Sequence, residues 1–123
     1  MPKERPVLTN LVNASTTDTE KFQNEVIRSI IKMQNDLLFC FFKAYLKKRK
    51  ISFTVLSDEQ KMNQIKSILE KDQNFKNKTL GIVIGDFSVE EFLFYEKASS
   101  EFNKRIIQIV IQRFQSNTSL IDV

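Results

Sequence analysis

Residues 22–50 read FQNEVIRSIIKMQNDLLFCFFKAYLKKRK, and this stretch decides the fold class. Its apolar side chains recur at spacings of three and four residues, which is the period of one face of an α-helix. They are Phe22, Val26, Ile30, Met33, Leu37, Phe41 and Ala44. The pattern predicts one helix over residues 19–49, which at about 1.5 Å per residue would be roughly 45 Å long.

Three capping boxes indicate where helices begin. In each box a Ser or Thr, which can accept a hydrogen bond from a backbone amide, is followed three residues later by Glu or Gln. The boxes open at Thr17, Ser57 and Ser88. The last one predicts a helix from residue 88 to about residue 116.

The middle of the chain is expected to hold two shorter helices. The helix that follows Ser57 should break near Lys71–Asp72, and a third helix should reach Ile84, with Gly85 as the residue beyond its end. The short apolar run at residues 81–85 leaves a strand as the alternative there, because such runs are ambiguous.

Few residues in this chain oppose helix formation. It contains only two glycines and two prolines, and both prolines lie within the first six residues. We predict an all-α fold, an up-down helical bundle of about four helices with long first and last helices. A single domain at residues 17–118 would follow a flexible arm at residues 1–16 and precede a tail at residues 119–123.

The sequence gives no sign of export or membrane insertion. No run of about 18 apolar residues is present, so no transmembrane helix is expected. The charged start of the chain is not followed by the apolar core of a signal peptide. One cysteine excludes an intramolecular disulfide. We therefore expect a cytoplasmic protein.

Composition argues against most enzyme chemistry. The chain has no histidine, which removes the commonest general base and a common metal ligand. Cys40 lies within an aromatic run and is expected to be a buried, unreactive thiol. Acids such as Glu90 and Glu91 fall in first helical turns, where they favour the helix dipole. We expect no metal, no cofactor and no catalytic residues.

One candidate interface lies on the first predicted helix. Phe39 falls in the middle of a polar stripe, with Phe42 and Leu46 beside it. Exposed aromatic patches often mark contact surfaces, so these three residues predict a homodimer interface. The alternative is that the middle helices cover them within one chain.

Polar residues on the apolar arcs of the long helices form a second candidate. Gln23, Gln34, Asn103 and Arg113 are predicted to point inward. A hydrogen bond between Gln34 and Asn103 would fix the register of the two helices. The alternative is a polar pocket that binds a small ligand or supports catalysis.

The strongest charge signal is a basic cluster at residues 43–50. Its five cations are Lys43, Lys47, Lys48, Arg49 and Lys50, whereas the whole chain carries a net charge of +4. The cluster could contact the phosphates of a nucleic acid or of an anionic membrane. Alternatively, it could simply complement the dipole of a helix C-terminus.

Several segments resemble a family of small all-helical bacterial proteins of unknown function. The similarity covers about residues 20–116, and the segments are residues 22–24, 32–38, 71–77, 81–85, 103–105 and 111–113. Some members of that family carry the label glyoxalase. Glyoxalase metalloenzymes use His and Glu ligands on a βαβββ fold, so the label is not expected to transfer to a chain without histidine.

Three functions are compatible with these features. The first is a non-enzymatic protein-interaction or homo-oligomeric module, with a second copy or another protein as the partner. The second is a weak nucleic-acid-binding protein that uses the basic cluster. The third is a small-ligand binder or enzyme with the polar pocket.

Overall fold

The first long helical region is interrupted twice. α1 spans Thr16–Lys21 and continues through a π-helical segment, Phe22–Ile27, into α2, Arg28–Met33. At Gln34 the backbone leaves helical geometry (φ −91°, ψ 12°) before α3, Asn35–Lys48. The prediction of one unbroken helix over residues 19–49 was therefore wrong. The side chain of Gln34 donates a hydrogen bond to Asp86, so a contact distant in sequence accompanies the break.

The computed structural model describes the backbone of residues 16–123 and the side chains from Asp18 onward. The predicted arm of residues 1–16, apart from the backbone of Thr16, and the side chain of Thr17 lie outside the described residues. Between residues 16 and 123 the chain forms helices and turns and contains no strand. The predicted all-α class is confirmed.

The two middle helices begin and end as the sequence predicts. α4 spans Asp58–Lys71, and Ser57 and Gln60 form both hydrogen bonds of the capping box, at 3.2 and 2.9 Å. Asp72 ends α4 and caps α5, Gln73–Ile84. Residues 81–84 are thus helical rather than extended. Gly85 ends α5 with φ −60°, so it is right-handed and does not adopt the left-handed conformation typical of a terminal glycine.

The last long helix is also divided. Ser88 and Glu91 form the predicted capping box, and α6 spans Val89–Glu96. The chain then turns at residues 97–98 before α7, Ser99–Ser116. In one straight helix, Phe94 and Phe102 would be separated by about 12 Å along the axis. Instead, both rings lie 5.0 Å from the ring of Phe22, so the turn lets two aromatic side chains pack on one partner.

α7 forms the centre of the fold. It contacts α2, α4, α5, α6 and the π-helical segment. Its buried residues lie on most of its circumference, as expected for a helix surrounded by others. They are Phe102, Ile106, Ile107, Ile109, Val110, Ile111 and Phe114.

The segment predicted as a C-terminal tail packs against the bundle. Residues Thr118–Leu120 form a 3₁₀ turn, and Ile121 is buried. The backbone amides of Phe53 and Thr54 donate to the main-chain oxygen of Val123 at 2.7 and 2.9 Å. The C-terminal segment and the loop between α3 and α4 therefore hold one another in place.

Candidate functional site

Three aromatic rings join the C-terminal half of α3 to the first turn of α5. Phe41 and Tyr45 are four residues apart and therefore share one face of α3. The rings of Phe41 and Phe75 stack at 4.7 Å with an angle of 4° between their planes. The ring of Tyr45 meets that of Phe75 edge-on, also at 4.7 Å. Phe75 is buried, while Phe41 and Tyr45 remain partly exposed.

These rings form the floor of a cleft of about 280 Å³, which we call the Tyr45 cleft. Its apolar residues come from the two helices, and most of its polar residues are exposed, namely Lys48, Arg49, Asn74 and Lys78. The lining consists of Phe41, Ala44, Tyr45, Lys48, Arg49, Asp72, Asn74, Phe75 and Lys78. The cleft therefore combines aromatic surface with three cations.

Asp72 holds one wall of the cleft together. Its Oδ1 accepts a hydrogen bond from the amide of Phe75 at 3.0 Å, which caps α5. Its Oδ2 accepts from the Tyr45 hydroxyl at 2.6 Å and lies 3.2 Å from Nη2 of Arg49. The guanidinium of Arg49 also lies over the ring of Tyr45, with its central carbon 4.9 Å from the ring centre. One carboxylate thus orients Tyr45 and Arg49 together.

This arrangement moves two pKa values in opposite directions. Partial burial raises the pKa of Tyr45 above its ordinary value, and the nearby Asp72 carboxylate raises it further. The hydrogen bond from Tyr45 lowers the pKa of Asp72, as does the amide of Phe75. At neutral pH the tyrosine is therefore a neutral hydrogen-bond donor and the aspartate an anion.

The five residues of the basic cluster face different surroundings. Lys43 forms an ion pair with Asp122 of the C-terminal segment at 3.4 Å. Arg49 pairs with Asp72, and Lys48 lines the Tyr45 cleft. Lys78, which lies outside the sequence cluster, joins Lys48 there. Among the described residues neither lysine forms an ion pair, so the cleft keeps a net positive charge.

Part of the basic cluster also ends α3. Lys50 adopts a left-handed conformation with φ 56°. Its amide donates to the carbonyl of Lys47, and the amide of Ile51 donates to that of Leu46. This pair of hydrogen bonds is a Schellman motif, in which glycine is the usual left-handed residue. Lys50 therefore helps to end α3 through its backbone, which is distinct from the predicted interaction of the cluster's charges with the helix dipole.

The candidate interface on α3 is buried inside the chain. Phe39 is only 4% exposed, and Phe42 and Leu46 are fully buried. The rings of Phe39 and Phe42 each lie 4.8 Å from the ring of Phe114. Phe42 also meets Phe53 edge-on at 6.1 Å. The prediction of an exposed aromatic patch was wrong, because α7 and the α3–α4 loop cover this side of α3.

The four residues of the candidate polar pocket each have a different hydrogen-bond partner. The pairs are Arg105–Gln23 at 3.2 Å, Gln34–Asp86, Tyr95–Asn103 at 2.5 Å, and Arg113–Asn35 at 2.7 Å. Asn103 is thus engaged by Tyr95 within the α6–α7 region, whereas Gln34 reaches the end of α5. Among these bonds none joins two members of the candidate pocket.

Cys40 and the acidic residues add no further site. Cys40 is exposed, which corrects the expectation of a buried thiol. Within residues 18–123, no three potential Cys, Asp or Glu ligands come together as a metal-binding group. In the same part of the chain, no helix combines the length and apolar character needed to cross a bilayer.

Comparisons of the chain with models of protein families, with curated proteins and with solved structures give no match. The resemblance to the family of small bacterial helical proteins therefore stays a prediction.

Proposed function

We propose that the protein is a non-enzymatic binding module that takes single-stranded nucleic acid at the Tyr45 cleft. The observation that carries this proposal is the meeting of accessible aromatic rings with uncompensated cations in one cleft. Proteins that bind single strands combine these two elements, because bases stack on aromatic rings while cations follow the phosphates.

The aromatic floor offers a surface for a base. Phe41 and Tyr45 are partly exposed, and each is fixed by its contact with the buried ring of Phe75. Arg49, held over Tyr45 by Asp72, adds a planar cation on which a base can also stack. A volume of about 280 Å³ suits one base at a time and is small for a drug-sized ligand.

The cations around the opening supply the phosphate contacts. Lys48 and Lys78 line the cleft from α3 and α5, and the exposed Lys47 and Lys50 lie within two residues of Lys48 in the chain. Each phosphate neutralised by a lysine releases counterions, so binding should weaken as salt concentration rises.

The electrostatics of the cleft favour binding over catalysis. The raised pKa of Tyr45 disfavours the phenolate that a nucleophile or general base would require. Asp72 already accepts three hydrogen bonds, from Tyr45, Arg49 and Phe75. Both groups are therefore suited to holding the shape of the cleft.

The homo-oligomeric function loses the observation that favoured it. That proposal depended on an exposed Phe39, whose ring instead packs on Phe114 within the chain. The nucleic-acid proposal, by contrast, is supported by the rings of Phe41 and Tyr45, because they line the same cleft as Lys48 and Arg49 of the basic cluster.

Fluorescence anisotropy with a labelled single-stranded oligothymidylate tests this function. The wild-type chain should bind with an affinity that falls steeply between low and physiological salt. Replacing Lys48 and Lys78 together by Gln removes two phosphate contacts. The slope of log K against log salt should then become shallower by about 1.4, at about 0.7 per contact for single strands. Phe41→Leu should weaken binding about fivefold or more through lost stacking.

The matched control replaces Lys66 and Lys104 by Gln. Both are exposed lysines on α4 and α7 that do not line the Tyr45 cleft, and the net charge changes equally. Binding of this variant should stay close to that of the wild type. If the Lys48/Lys78 variant and the Lys66/Lys104 variant lose the same amount of affinity, the binding is a nonspecific attraction to a basic protein. That result would contradict the proposal.

A further inference from the structure

α6 presents an apolar face to the surface of the bundle. Val89 is 79% exposed, Leu93 57% and Phe92 38%. Their spacing of three and four residues places them next to one another on one side of the helix. The opposite side carries Glu91 and Tyr95, which are buried. We call the surface formed by Val89, Phe92 and Leu93 the α6 face.

We infer that the α6 face is the docking site of this chain's own residues 1–15. The inference is independent of the Tyr45 cleft, which α3 and α5 form. It rests on where the described chain begins, on the residues that precede it, and on the size and charge of the face.

The first described helix, α1, leads into a residue that contacts α6. α1 leads directly into Phe22, whose ring lies 5.0 Å from that of Phe94 on α6 and 5.6 Å from that of Phe87 just before it. Thr16 precedes Phe22 by six residues, about 9 Å in a helix. Fifteen further residues can extend up to about 50 Å, whereas α6 is about 12 Å long. Residues 1–15 can therefore reach the whole α6 face.

The composition of residues 1–15 complements this face. Four apolar residues, Val7, Leu8, Leu11 and Val12, lie within six positions of the sequence. Lys3 and Arg5 precede them and outnumber the single acid, Glu4. The exposed charged residues of α6 and of the turn after it are Glu90, Glu96 and Lys97. An apolar segment with a net positive start thus matches an apolar face whose border carries a net negative charge.

The size of the face favours a tethered occupant over a second copy. Three partly exposed side chains present an area on the order of 300 Å². A stable interface between separate proteins buries roughly 800 Å² per partner. A segment of the same chain is held near the face at an effective concentration of the order of millimolar, so a small contact area is sufficient.

Methyl-labelled nuclear magnetic resonance of the full chain tests this inference directly. We expect nuclear Overhauser effects between the methyl groups of Leu8, Leu11 or Val12 and those of Val89 and Leu93. A sample that mixes labelled and unlabelled chains separates contacts within one chain from contacts between chains. Contacts within one chain support the inference, whereas contacts only between chains make a second copy the occupant and overturn it.

Substitution of one apolar residue in the segment supplies an independent readout. Leu11→Asp should remove the cross-peaks and shift the Val89 and Leu93 methyl signals, because a charge is costly to dock on an apolar face. Val55→Asp changes an exposed valine in the α3–α4 loop and should leave those signals in place. If the wild type shows no such cross-peaks and Leu11→Asp leaves the α6 signals unmoved, the inference is wrong.

Discussion

Replacement of Phe39 by Ala measures how firmly the aromatic centre of the bundle is packed. The ring is 4% exposed and meets Phe114 edge-on at 4.8 Å. Removal of a buried phenyl ring typically costs about 3–5 kcal/mol of unfolding free energy. The edge-on contact contributes about 0.5–1.5 kcal/mol of that cost.

The surroundings of Phe39 place the expected loss at the lower end of the range. A shallow cleft lined by Phe39, Cys40 and Leu120 borders the ring, so solvent and flexible side chains can fill part of the space left behind. We expect Phe39→Ala to lower the free energy of unfolding by about 3 kcal/mol, a large fraction of the 5–15 kcal/mol typical of a domain.

Urea unfolding followed by circular dichroism measures this loss, and Leu37 on the same helix provides the control. Leu37 is 46% exposed, so Leu37→Ala should cost less than about 1 kcal/mol. A double-mutant cycle that compares Phe39→Leu, Phe114→Leu and the variant with both changes should give a coupling energy of about 0.5–1.5 kcal/mol between the two rings. If Phe39→Ala lowers the free energy of unfolding no more than Leu37→Ala does, the packing described for Phe39 is wrong. It is also wrong if the effect of Phe39→Ala depends on protein concentration, because Phe39 would then lie between two chains.

Three further predictions concern local features. Lys50→Gly should raise the free energy of unfolding by about 0.5–1 kcal/mol in urea titrations, because glycine adopts the left-handed conformation without steric cost; a destabilised variant would contradict the Schellman assignment. Ser88→Ala should lower thermal stability by about 1 kcal/mol while Ser88→Asp retains most of it, since either Ser or Asp can cap α6; equal losses would argue against a capping role. The ultraviolet titration of the two tyrosines, Tyr45 and Tyr95, should have its midpoint above pH 10 in the folded chain and near 10 in denaturant, since burial raises both pKa values. Their contribution to stability is accordingly complete below pH 10 and is lost as pH rises through the raised values, and identical midpoints in the two states would contradict their burial.

The helix ends that depend on local chemistry could be predicted from the sequence. Ser57, Asp72 and Ser88 each accept a hydrogen bond from an amide three residues later, so the necessary information lies within four residues. The all-α class follows from helical periodicity and from the lack of glycine and proline within the long segments.

The interruptions of the long helices could not be predicted in the same way, because they accompany contacts that are distant in sequence. The break at Gln34 coincides with a hydrogen bond to Asp86, 52 residues later. The turn after α6 lets Phe94 and Phe102 pack on Phe22. A pattern of apolar spacings contains no information on either contact.

Phe39 shows the limit of assigning faces from an ideal helix. Its position among polar residues indicated an exposed stripe, yet Lys43 on that stripe pairs with Asp122 of the C-terminal segment. That segment and the α3–α4 loop lie over this side of α3, and the loop contributes the buried Phe53. The burial of Phe39 therefore depends on elements that are distant in sequence, namely α7, whose Phe114 packs on the ring, and these irregular segments.

The candidate site was partly visible in the sequence. The basic cluster identified Lys48 and Arg49, but Tyr45 was part of no predicted site. Asp72 lies 27 residues beyond Tyr45, and its dual role as helix cap and hydrogen-bond acceptor becomes evident only when α3 and α5 pack together. The spacing of four residues between Tyr45 and Arg49 is the local signal that would have identified this face, since such a spacing brings two side chains together on a helix.

Titration of the isotope-labelled chain with a single-stranded oligothymidylate, followed by nuclear magnetic resonance, tests the central claim most directly. The proposed function requires the largest chemical-shift changes at the Tyr45 cleft, in the ring signals of Phe41 and Tyr45 and in the amides around Lys48 and Lys78, at low salt. These changes should shrink as salt is added. An absence of shift changes at low salt, or changes centred on a surface away from the cleft, would contradict the account.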